Sequence, residues 1–97
     1  MPDRRHLRVQ LALLATAEGG RKSALPGEFK TVLVSAGHQH FSAMIFPSAP
    51  VVPGGAAVNC EVKFLQPEAV GYFPAGTQFD LWEGGRMGYG TALGLLS

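Results

Sequence analysis

Charge is scarce in this chain: only 15% of its 97 residues are Asp, Glu, Lys or Arg, against about a quarter in an average soluble domain. Residues 31–60 contain none of the four. The net charge of +1 gives no global electrostatic case for nucleic acid or an anionic membrane. There is a single cysteine, Cys60, which excludes an internal disulfide and a Cys-based zinc site and fits a reducing, cytoplasmic setting. No apolar run is long enough to span a bilayer. The uncharged stretch is broken by Pro47, Pro50, Pro53, Gly37, Gly54 and Gly55, and His38, Gln39 and His40 are polar. The chain is also too short for a Rossmann enzyme or a (β/α)₈ barrel. It makes one domain, residues 1–97, with residues 1–5 expected to fray.

What is abundant is glycine and proline, 13 and 7 residues, together about a fifth of the chain, which favours many turns over a helical bundle. Hydrophobic residues reach 46%, enough for a packed core. Six segments read as short strands. Leu7, Val9, Leu11 and Leu13 alternate with Arg8, Gln10 and Ala12. Thr31–Ser35 is β-branched, and Phe41–Phe46 is closed by Pro47. Ala57–Leu65 sets Val58, Cys60, Val62 and Phe64 on one face and Asn59, Glu61 and Lys63 on the other, and Pro67 stops it. Gln78–Trp82 carries Phe79 and Leu81 inward, and Tyr89–Leu96 makes the last strand. Ser48–Gly55 reads as a loop, and Gly71–Gly76 as a turn region. This spacing predicts a small all-β antiparallel barrel or sandwich.

The first strand has the outline of a secretory leader, with basic residues before Val9–Leu14 and Ala15-Thr16-Ala17 after it. Arg8 and Gln10 interrupt the apolar run, so residues 1–17 are read as strand rather than as a cleaved signal. Basic groups gather at this end: residues 1–30 hold six against three acids, while the rest is net acidic.

The sequence carries few chemical motifs. Gly20-Arg21-Lys22-Ser23 lacks the glycine spacing of a phosphate cradle. Cys60 sits mid-strand on the apolar side, where a thiol is inert. His38-x-His40 has metal-like spacing but needs a third ligand such as His6, and two solvated loop histidines are the simpler reading. Tyr72, Phe73, Trp82 and Tyr89 could form a stacking platform, but basic residues do not interleave with them, so they are read as core and turn packing. No catalytic, cofactor or metal set is identified, and the chain is read as a non-enzyme.

One internal echo remains. Glu-Gly-Gly-Arg occurs at Glu18–Arg21 and again at Glu83–Arg86, each after a strand. With it, Gly27 before a strand, Val52-Pro53-Gly54 before the long alternating strand to Leu65 and Pro67, and Gly76-Thr77-Gln78-Phe79 before the second echo form an ordered set. The set resembles the C-terminal, third domain of bacterial elongation factor Tu over residues 6–96. That resemblance implies a six-stranded antiparallel β-barrel. In that family the domain packs on two others and contacts the T-stem of aminoacyl-tRNA. Here Gly27-Glu28-Phe29-Lys30-Thr31 stands where the family has Gly-Tyr-Arg-Pro-Gln, and His38–Ser42 departs from its Thr-Asp-Val-Thr-Gly. Turns are kept while tRNA-facing positions are not. The expected function is therefore a stand-alone module that docks a protein, with tRNA or other RNA binding as the alternative, no membrane role, and homo-oligomerisation left open. The residues expected to bind a partner are Arg21, Arg86, Glu18, Glu83, His38 and His40, with the arginines paired to Glu18 and Glu83 or to acids on the partner.

Overall fold

The computed structural model describes residues 5–15 and 27–96. Six strands, β1 (Leu7–Leu13), β2 (Phe29–Val34), β3 (His40–Pro47), β4 (Val58–Phe64), β5 (Gln78–Trp82) and β6 (Arg86–Leu95), close into a barrel in the order β1-β4-β3-β2-β5-β6. Each neighbouring pair is antiparallel. Closure pairs every strand on both sides and removes the unpaired edges that would invite aggregation.

Strand alternation decides which residues fill the interior. Leu7, Val9, Leu11 and Leu13 are buried, as are Cys60, Val62 and Phe64 from β4 and Phe79 and Leu81 from β5. Val58, expected with them, is only half-buried at the mouth of β4 and packs on the margin of the core. Burying each large apolar side chain contributes about 1.5–3 kcal/mol. The segment with the outline of a leader is thus β1, which the core packs against from β4 and β6.

β6 meets this crowding with small inward residues, Gly88, Gly90 and Ala92. A Cβ at Gly90 would stand 2.5 Å from the Gln10 carbonyl oxygen and 2.7 Å from the Phe79 ring. The missing side chain is what lets Phe79 cross the barrel and β6 press against β1. Phe79 meets Phe73 edge-on at 5.6 Å, and Phe73 stacks on Phe64 at 5.2 Å, so three rings plug one end. Phe73 arrives there through a 3₁₀ turn, Pro67–Tyr72, where the sequence suggested only a stop at Pro67 and a turn at Gly71–Gly76. Proline at the first position of that turn lacks only an N–H that would have no partner inside it.

Most strand bounds shift by a residue or two from those expected, and two of the shifts matter more than the rest. β2 begins at Phe29 rather than Thr31. β6 begins at Arg86 rather than Tyr89, because a bulge at Leu81/Trp82 lets β5 and β6 pair right up to their turn. Arg5, expected to fray, is instead held in place. Arg5 donates to Glu61 at 2.7 Å and lays its guanidinium 3.9 Å over the Phe46 ring. His6 then ties three strands: its N–H donates to Val62, its carbonyl accepts from Leu96, and its Nδ1 accepts the Phe64 N–H at 3.0 Å.

Candidate functional site

The outer face of the barrel follows from the same alternation. Where β2, β3 and β4 pair, Lys30 lies beside Met44 and Met44 beside Lys63. The next outward row toward the β2–β3 hairpin is Trp82, Val32, Ser42 and Leu65, the last joined by its N–H to the Ser42 carbonyl at 3.0 Å. In the other direction Phe46 lies beside Glu61, and Glu28 comes alongside Phe46 one residue beyond β2. A cleft of about 780 Å³ runs over these rows. Its apolar lining comes from Val32, Met44, Phe46, Leu65 and Trp82, and its rim carries Glu28, Lys30, Lys63 and Glu83.

Two side chains on this face are more exposed than apolar residues of their size usually are. Leu65 is 78% exposed and Trp82 41%. His40 meets the Trp82 ring edge-on at 6.1 Å and steadies it. Val32 and the β3 lining lie within the uncharged residues 31–60, and Lys30 and Lys63 flank Met44 from the neighbouring strands. Thr31 borders it too, with its Oγ1 buried and unbonded among the described residues.

The sequence-predicted site residues fall around this surface rather than on one spot. Glu83 borders the cleft, in a turn where its N–H donates to the Gly85 carbonyl at 2.9 Å and Gly84 takes φ 68. Arg86 pairs with Asp80, Nε to Oδ1 at 2.9 Å, and lies 5.5 Å from the Tyr89 ring centre. Asp80, not considered from the sequence, reaches it because Asp80 and Tyr89 are register partners across β5 and β6. His38 sits in the β2–β3 hairpin at φ 65, held by its N–H to the Ser35 carbonyl, and shares a separate depression of about 440 Å³ with Asp80 and Arg86. His40, expected in a loop, is instead the first residue of β3. Glu18 and Arg21, with the first Glu-Gly-Gly-Arg, lie outside the described residues.

The aromatic residues separate into two groups. Phe73 is core, but Tyr72, Trp82 and Tyr89 are each exposed by two-fifths or more, so reading all four as packing residues is corrected for these three. Among the described residues no cluster of three His, Cys, Asp or Glu could hold a metal. His6, the suggested third ligand, has its Nδ1 occupied by the Phe64 N–H. Cys60 is 2% exposed, its thiol contacts the Val58 carbonyl at 3.4 Å, and burial pushes its pKa up to about 11. Such a thiol carries almost no thiolate near neutrality.

Sequence reasoning missed Val32, Met44 and Trp82 as a shared surface. The signal was available in the parity of Phe41–Phe46: Ser42, Met44 and Phe46 must point out if Ala43 and Ile45 point in. No helix among the described residues is long and apolar enough to cross a membrane. No protein-family model and no curated protein matches the chain.

Proposed function

We propose that this protein is a non-catalytic binding module, a barrel similar to the third domain of elongation factor Tu, whose β2–β3–β4 outer face docks a protein. The observation that carries the reading is the cleft lined by Val32, Met44 and Trp82, an apolar surface the described residues cover only in part, whose β2 and β3 members lie in a stretch that bears no charge. Burying exposed apolar surface is the main source of protein association energy, and aromatic and methionine side chains are enriched where it occurs. Glu83, in the β5–β6 turn, contributes a polar rim contact, and Arg86 closes the same turn beside it. RNA binding is the weaker reading. Phosphate recognition needs a cluster of basic side chains, whereas the face sets Lys30 and Lys63 beside Glu28 and Glu61, and Arg5 and Arg86 pair with Glu61 and Asp80.

Site-specific photo-cross-linking in cells tests both readings. A cross-linking residue at position 44 should yield protein adducts, and one at Leu93, exposed on β6, the strand opposite β3 in the barrel, should not. Adducts whose added mass nuclease removes would transfer the function to RNA. Equal adducts from both positions would remove the face from consideration.

A further inference from the structure

The proposed docking face carries a charge pattern that fits one partner in particular. Two adjacent outward rows cross its three strands: Lys30, Met44 and Lys63 in one, and Glu28, Phe46 and Glu61 in the next. Both rows place an apolar side chain on β3 between like charges, positive in one row and negative in the other. Residues two apart on a strand are separated by roughly 6.5 Å, and neighbouring strands by about 4.8 Å. A two-fold axis lying in the face, midway between the rows and perpendicular to the strands, superposes each row on the opposite row of another molecule. Lys30 then meets Glu28 of the second copy, Met44 meets its Phe46, and the contacts repeat by symmetry. An axis along β3 would instead set Lys30 against Lys63, so the charges select one arrangement.

The pair that carries this docking, Glu28 and Lys30, is available. Glu28 and Lys30 are both exposed, and neither has an ion-pair or hydrogen-bond partner among the described residues. Glu61 is held by Arg5, whose guanidinium also covers one face of Phe46, so the outer row is fixed in place before any partner arrives. A partner of opposite net charge is not called for, because the face is neutral. A surface that is apolar along its centre and carries both signs in rows is complementary to itself, which is the requirement of an isologous interface.

We infer that the partner is a second copy of this chain, docked through the β2–β3–β4 face about that two-fold axis. This inference rests on the reading of the face as a docking surface. Three strands and a few rows make a patch at the small end of specific interfaces, so association in the micromolar range is expected.

Sedimentation velocity of the full chain, from about 1 to about 200 µM, is the test, bracketing the affinity expected of a small interface. The wild type should move from one chain towards two as concentration rises. Lys30→Glu and Glu28→Lys, each keeping the wild-type far-UV spectrum, should weaken self-association by at least about tenfold through like-charge contacts. The double variant Lys30→Glu/Glu28→Lys should restore it, because the swapped pair is again complementary across the axis. Restoration is the decisive result, since a merely structural role for either residue would not produce it. A wild type that stays monomeric throughout overturns the inference, as do single variants that associate normally or a double variant that does not recover. The docking reading fails separately, if position 44 cross-links to nothing in cells while the purified chain is monomeric.

Discussion

The β1–β6 seam and the β2–β3–β4 face are made by the same alternation of in and out, yet they spend it in opposite ways. At the seam the inward positions of β6 shrink to Gly88, Gly90 and Ala92, and the backbones close on large side chains from β1 and β5. On the face the outward positions grow to Met44, Phe46 and Trp82, and the chain leaves them half-covered. The seam has no slack, so its residues answer to packing. The face is unconstrained by packing and keeps apolar bulk all the same, which is why function is sought there. The difference shows that size alone says little in a small barrel. A glycine where bulk would fit the propensity, and bulk where a polar residue would suffice, are the two informative departures.

Substitution at the seam should give the largest effect. Gly90→Ala places a methyl group against the Gln10 carbonyl and the Phe79 ring, and should destabilise the fold by about 3 kcal/mol, at the upper end of ordinary overpacking. Chemical denaturation measures this directly. Met44→Ser on the face should change stability by less than about 0.5 kcal/mol while abolishing the self-association assigned to it. Equal losses of stability from the two variants would erase the distinction between the regions.

The interior also sets a pH limit. The folded Cys60 thiol keeps its proton up to about pH 11, whereas an exposed one releases it near 9.0. Between those values the unfolded chain binds fewer protons, so raising the pH favours unfolding; the stability is complete below pH 9.0 and falls until about 11. The total loss is about 3 kcal/mol by linkage. Urea titrations across this range should show the decline, and Cys60→Ala should flatten it while lowering stability at neutral pH.

Much of this was legible in the sequence, and the reasons are physical. Period-2 runs such as Ala57–Leu65 and Leu7–Leu13 announce strands because one face must be buried; both strands form, the first as Val58–Phe64 with Val58 only at the margin of the core. The Pro67–Tyr72 turn escaped because six residues offer too little periodicity, and its contribution, Phe73 against Phe64 and Phe79, is a long-range contact. The partner of Arg86 escaped for a related reason. Turn spacing pointed to Glu83, while the pair to Asp80 depends on a bulge that sets the register of β5 and β6. The Lys–Met–Lys and Glu–Phe–Glu rows were likewise invisible until three strands, separated in sequence, were placed side by side.

Thr31 tests how far the boundary between interior and face is settled. Its Oγ1 is buried without a partner among the described residues, a condition that costs about 1–3 kcal/mol where it holds. Thr31→Val keeps the shape and removes the orphan, so it should raise stability by about 1 kcal/mol. A loss of stability would place a bonding partner on the hydroxyl.

The smallest effect is expected at Arg86, and its size is what makes it informative. The pair with Asp80 joins side chains that are 49% and 42% exposed. Exposed pairs of this kind contribute about 0–1 kcal/mol, because water and salt screen the charges and two long side chains must be held still. The Tyr89 ring at 5.5 Å adds a cation–π contact that is equally open to solvent. Arg86→Ala should therefore shift the melting temperature little, and added salt should remove most of the shift. Asp80→Asn should have the same small effect, and the double variant no more than either alone, since both remove one interaction. If Arg86 is also a rim contact of the docking face, Arg86→Ala will lower cross-linking yield from position 44 while Asp80→Asn, which leaves the guanidinium in place, will not. Equal yields in both variants would make the arginine a staple of the β5–β6 turn alone, and would confine the docking face to the three strands that carry the cleft.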